Sequence, residues 1–175
     1  MLMLTTKRLA MLALDMDLAT LQAESRTTFF NALAVMHEPL WPPAPFEPGA
    51  FEWSRKNLSH DPVGQGWYGW ALLANGGERA PPRLIGIAAL IGRPDEEGDV
   101  ELAFGLQPDF RGKGYGGEAV RALTAWAFAN GAARVVAHLD AEDVHAAQTL
   151  ERSGFADTNE APYPGVARWA LQAAA

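Results

Sequence analysis

The chain has 175 residues, 49% of them hydrophobic and six of them tryptophan, with 14 basic and 21 acidic side chains for a formal net charge of −7. That composition excludes a disordered chain, the length suits one domain over residues 1–175, and the lack of any long apolar run excludes a membrane-spanning helix. The absence of cysteine excludes disulfides, thiolate nucleophiles and cysteine-ligated zinc, and the acidic balance argues against nucleic acid as a partner.

The opening residues MLMLTTKRLAMLALDMD have no charged start, long apolar centre and cleavage site in series, so the expected location is the cytoplasm. Arg8 to Leu14 reads as a short apolar strand, and Asp15-Met16-Asp17 offers a carboxylate to cap a following helix. Leu18, Leu21, Ala32, Leu33 and Met36 are spaced for one or two helices. Five prolines between Pro39 and Pro48 predict a stiff loop, with a helix over Phe51 to Leu58. Gly66 to Leu73, Arg83 to Ile91 and Val100 to Leu106 predict an antiparallel meander, with turns at Asn75-Gly76-Gly77 and at Pro94 to Gly98. A helix follows from about Gly114 to Asn130, with Gly131 as its stop. Then come a strand at Arg134 to Leu139, a helix at Glu142 to Arg152, a short strand from Phe155 and a last strand at Val166 to Leu171. The strand–helix–strand unit from 100 to 139 predicts a parallel pair. The order predicts a mixed α/β (α+β) fold, with helices covering both faces of one sheet.

The segment that carries chemistry is QPDFRGKGYGGEAVRAL, from Gln107 to Leu123, which leaves a strand and opens a helix. Gly112, Gly114, Gly116 and Gly117 let a ligand approach the backbone without a Cβ in the way. Free amides and the positive dipole end of a helix attract phosphate oxygens, and Arg111, Lys113 and Arg121 outnumber Asp109 and Glu118 locally. A Walker loop would need Ser or Thr after Lys113, where Gly114 stands. A dinucleotide fingerprint does match at Gly112, Gly114 and Gly117, with Asp140 as a ribose-binding acid, but the preceding meander does not suit that fold. No histidine or carboxylate set has metal-ligand spacing, His37, His60, His138 and His145 being scattered, so no metal is expected.

Arg111-Gly112-Lys113-Gly114-Tyr115-Gly116 also matches the pattern Arg/Gln-x-x-Gly-x-Gly/Ala. With TTKRLAMLAL before it and DAEDVHAAQTLERSGF after it, the chain resembles the GNAT superfamily of N-acetyltransferases. It is most similar there to the branch that acetylates ribosomal-protein N-termini and related amines. The resemblance implies a central, mostly antiparallel sheet with helices on both faces, and acetyl-CoA as cosubstrate. It implies that Gly112, Lys113, Gly114, Tyr115, Gly116 and Gly117 hold the pyrophosphate, with Arg111 in the same motif. The backbone of Leu106 would bond the pantetheine arm, in a gap between two splayed strands. Asp143 and Ala146 stand where the family usually has Asn and Ser, while Leu150, Glu151, Gly154 and Phe155 fit. Asp143 accepts but does not donate when ionised, which alters any contact to the cofactor arm and keeps open a non-catalytic CoA-binding module.

Acetyl transfer needs a neutral amine. A lysine-like amine costs about 4.6 kcal/mol to deprotonate at pH 7, an α-amine only about 1 kcal/mol, so a general base matters more for the first. Glu101 is the candidate base, because Asp99, Glu101, Ala103 and Gly105 share one strand face and the two small residues leave room for substrate. The alternative for Glu101 is a salt-bridged surface carboxylate. Tyr163, in the loop before the last strand, is the candidate acid for the leaving thiolate, and His138 alternates with Val136 toward the same cleft. Trp41, Phe46, Trp53, Trp67 and Trp70 are candidates to line an acceptor pocket for a peptide N-terminus or small amine, with the proline loop as its lid. Exposed tryptophans would offer a homodimer face.

Overall fold

The computed structural model describes residues 2–75 and 81–174, so the Gly76-Gly77 turn lies outside the described residues. Met3–Thr5 forms an edge strand, β1, paired antiparallel with β2 (Leu9–Ala13). Asp15 caps α1 (Met16–Glu24), its Oδ1 accepting the Leu18 N–H at 2.9 Å. Ser25 both ends α1 and caps α2 (Arg26–Ala32), so the predicted helical stretch is two helices. Pro48 opens α3 (Pro48–His60) at a first-turn position where its missing N–H has no helical partner to lose.

Strand β3 (Trp70–Ala74) begins four residues later than the apolar run suggests. Gly66 and Gly69, at φ +99° and +152°, turn the backbone before it can extend. Next come β4 (Arg83–Leu90), β5 (Asp99–Leu106), a 3₁₀ turn at Pro108–Phe110 and α4 (Tyr115–Ala129). The chain closes with β6 (Arg134–Asp140), α5 (Val144–Glu151), β7 (Ala156–Asp157) and β8 (Val166–Gln172).

The strands form one sheet in the order β1-β2-β3-β4-β5-β6-β8-β7. Among the described residues, β5 and β6 are the one parallel pair. A dinucleotide-binding sheet would need a run of parallel strands, so that alternative is withdrawn. Helices lie on both faces. Beneath β5, Phe104 and Leu106 meet α4, where a Cβ on Gly116 would sit 3.7 Å from each side chain. On the other face a Cβ on Gly105 would strike Ala44 O at 2.4 Å, so the proline loop lies directly on the strand there.

The core is continuous through the sheet, with Phe29, Phe30, Trp70, Leu84, Ile85, Leu102 and Leu123 fully buried. Each such side chain contributes roughly 1.5–3 kcal/mol. Trp41 packs among Phe29, Phe30 and Phe51, and Trp67 and Trp70 pack against Trp126. These three tryptophans are therefore core residues, not pocket walls, which corrects the sequence expectation. All six tryptophans are buried or half-buried, which corrects the expectation that some are exposed.

Candidate functional site

The parallel pairing of β5 with β6 runs through Asp99↔Arg134, Val100↔Val135 and Glu101↔Val136 and goes no further. Beyond Glu101 the two strands diverge. The Ile91 N–H donates to Glu101 O and the Gln107 N–H to Ile85 O, so the odd-numbered residues of β5 bond toward β4. Strand alternation then turns the backbone groups of Phe104 and Leu106 into the gap. The Leu106 carbonyl accepts from Arg111 Nε at 2.9 Å, which leaves the Leu106 N–H as the group facing the gap. At the narrow end, Asp99 receives both arms of the Arg134 guanidinium, with Arg168 3.6 Å away. The bond to Asp99 raises the Arg134 pKa further, which keeps the guanidinium charged.

The gap points at the start of α4. Gly112 and Gly114 are left-handed, at φ +70° and +82°, and Gly114, the N-cap residue, has no side chain to cap the helix. The first amide bonded within α4 belongs to Glu118, to Gly114 O, so those of Tyr115, Gly116 and Gly117 precede the ladder. A Cβ at Gly112 would meet nothing within 4 Å, the open approach a phosphate needs. Gly116 is buried against β5 and Thr149, while Arg111, Gly112, Lys113 and Gly114 are exposed. These residues fit the diphosphate of a coenzyme.

A brace behind this turn carries no motif. Arg8 Nη1 donates to Lys113 O at 2.8 Å, Arg8 Nε to Glu118 Oε2 at 2.7 Å, and the Arg8 N–H to Glu118 Oε1 at 2.8 Å. Thr6 Oγ1 donates to Glu118 Oε1 at 2.6 Å, and the Arg8 guanidinium lies 4.4 Å from the Tyr115 ring centroid. Burial pushes the Glu118 pKa up, but the bonds from Thr6 and Arg8 together hold it below its ordinary value of 4.5. Because the folded pKa is below the unfolded one, this stabilisation is complete above about pH 4.5 and disappears as pH falls through the folded value. Glu118→Gln is expected to destabilise the fold by about 1.5–3 kcal/mol at pH 7, with the difference from wild type shrinking below the carboxylate range. Urea titrations at pH 7 and at about pH 2.5, below the carboxylate range, check this, and a difference unchanged by pH would refute it.

Glu101 does not stand alone. Its Oε1 lies 3.0 Å from His138 Nδ1, so the side chain expected as base is half of a Glu–His pair at the mouth of the gap. His138 follows Val136 by two on β6, which puts it on the Glu101 face as alternation suggests. Tyr163 is 71% exposed, in the loop between β7 and β8, whose last residue adjoins the end of β6 where the Ala141 N–H donates to Gly165 O. Asp143 caps α5, its Oδ1 accepting the Ala146 N–H at 2.9 Å. Among the described residues no group of three or more His, Asp or Glu side chains could hold a metal.

One strand away on the Glu101 face is a cavity of about 250 Å³. Ile87 and Ala89 of β4 and the following Ile91 border it, with Phe46 and Trp53 among its other lining residues. Its position in register with Gly105 and Ala103 follows from the pairs Ile87↔Gly105 and Ala89↔Ala103. Gln22 of α1 also lines it.

A model of the acetyltransferase (GNAT) domain matches residues 9–156. The chain is 26% identical over 156 residues to YjdG of Bacillus subtilis, an uncharacterized N-acetyltransferase, covering 89% of this chain and 90% of that one. It superposes with a TM-score of 0.67 at 15% identity on the ribosomal-protein-S5-alanine acetyltransferase of Vibrio fischeri, covering 98% and 97% of the two chains. For the spermidine N-acetyltransferase of Vibrio cholerae, solved with CoA and spermine, the TM-score is 0.62 at 19% identity, covering 95% and 96%.

Proposed function

Since the chain belongs to the GNAT acetyltransferase family, we propose that it moves an acetyl group from acetyl-CoA to a primary amine, of a peptide N-terminus or a small molecule, by direct attack. The observation that carries this reading is the divergence of β5 and β6 beyond Glu101, which leads to the amides at the start of α4. Bound there, acetyl-CoA supplies an activated thioester carbonyl. The amides of Gly112 to Gly117 and the α4 dipole hold the diphosphate, Arg111 and Leu106 line the way in, and Asp143 shapes the start of α5 beside it. Glu101, paired with His138, takes the amine proton as the C–N bond forms and the C–S bond breaks. The departing sulfur is reprotonated to the thiol by Tyr163, the candidate donor bordering the open end of the gap.

We read residues 1–175 as one catalytic unit, because the first and last strands belong to the same sheet, and the cytoplasm as its setting. The test is to mix the protein with acetyl-CoA and a panel of primary amines and to follow free thiol. CoA at a hundredfold over its Kd is expected to stabilise the fold by about 2.7 kcal/mol. Thiol release that depends on the amine is the expected result. Stabilisation by CoA with no thiol from any amine would point instead to a CoA-binding module.

A further inference from the structure

The cavity on the β4 side of Glu101 has a chemical character of its own. Its lining is mostly apolar, and among the described residues no carboxylate borders it. Ser54 also borders it, but the hydroxyl already donates to Tyr68 O at 2.7 Å and Ala50 O at 3.1 Å. Gln22 is different. It is 5% exposed, and its Oε1 has no hydrogen-bond partner among the described residues. A buried amide oxygen left unpaired costs roughly 1–3 kcal/mol, and the residue that carries it lines an otherwise apolar pocket. The missing partner is a donor.

The cavity holds about eight water volumes at roughly 30 Å³ each, enough for a group the size of a leucine or phenylalanine side chain. Ala89 lies opposite Ala103, and the Ile91 N–H donates to Glu101 O at 2.8 Å. A group seated on Ala89 is therefore one strand spacing, about 4.8 Å, from the strand that carries Glu101. That is the reach from a side chain to the amine on its own α-carbon. A polyamine would need carboxylates along its length to pair its charges. Among the described residues none lines this cavity.

We infer that the acceptor is a primary amine next to an apolar side chain, as at a peptide N-terminus with a large apolar first residue, and that Gln22 Oε1 selects it by accepting one N–H from the following amide. This rests on the acetyl-transfer reading above and names the substrate class of the same site. Gln22 is then a specificity-determining residue, and it takes no part in bond making.

The experiment compares leucine amide, leucine methyl ester and spermidine as acceptors for wild type and Gln22→Met, with thiol release as the signal. Wild type is expected to favour the amide over the ester by about tenfold in kcat/KM, since only the amide has the N–H, and over spermidine by at least tenfold. Gln22→Met, of similar length without the oxygen, is expected to bring the amide-to-ester ratio to within about twofold while CoA affinity is unchanged. An amide-to-ester ratio near one in wild type, a preference for spermidine, or a ratio untouched by Gln22→Met each overturns the inference and leaves acetyl transfer standing. The wild-type comparison reads the inference even if the variant fails to fold. No thiol from any of the three, nor from a wider amine panel, overturns both.

Discussion

Glu101→Gln is expected to lower kcat by about 10²–10⁴-fold at neutral pH while CoA binds as in wild type. Glutamine keeps the size of the side chain but cannot take a proton. Glu101 sits where β5 and β6 part, on the face of the sheet that holds the apolar pocket, and it touches His138. A proton leaving the amine thus has a carboxylate to go to, with an imidazole behind it. The deficit should narrow as pH rises past about 8, where an α-amine is already neutral. It should be larger for a lysine-like amine, which needs about 4.6 kcal/mol to lose its proton at pH 7. Parallel pH–rate profiles for wild type and variant would remove Glu101 from the role of base.

Gly114→Val is expected to weaken CoA binding at least tenfold. Gly114 is left-handed at φ +82°, a conformation that costs a β-branched residue strain of order 1–3 kcal/mol. Its new Cβ would lie 3.3 Å from Arg8 Nη2, in the guanidinium that holds Lys113 O. The valine must either bend the turn or displace Arg8, and either shift moves the amides proposed to hold the diphosphate. Gly131→Val supplies the control. It has φ +100° and open space around it, but it sits at the far end of the same helix. Both variants should lose stability, and only Gly114→Val should lose CoA affinity by calorimetry. Equal CoA affinities would detach the turn from the cofactor.

The parts of the fold that sequence reveals are those with a strong local pattern. The meander, α4 with its glycine stop, and the Asp15 cap all depend on neighbours a few residues apart. Edge strand β1 leaves no such trace, because three residues with a single half-buried member, Leu4, are too few to show alternation. The Thr6–Arg8–Glu118 brace joins residues about 110 apart in the chain, and nothing in a linear reading brings them together. The Glu101–His138 pair is a partial case, since alternation gives the face of each but not their contact. Gln22 did carry a signal. It follows Ala19 by three on the buried stripe of α1, where a polar side chain is out of place. The aromatic residues misled because burial and pocket lining demand the same side chains, and only packing separates Trp53 from Trp70.

The Asp99 ion pairs with Arg134 and Arg168 work like the rivet of a pair of tongs. They fasten the two blades at one end, so the aperture at the other is set when the chain folds and not when a visitor arrives. Association then carries little cost for ordering the groove, and affinity for the nucleotide thiol should respond to changes at the fastening point, which the visitor never touches.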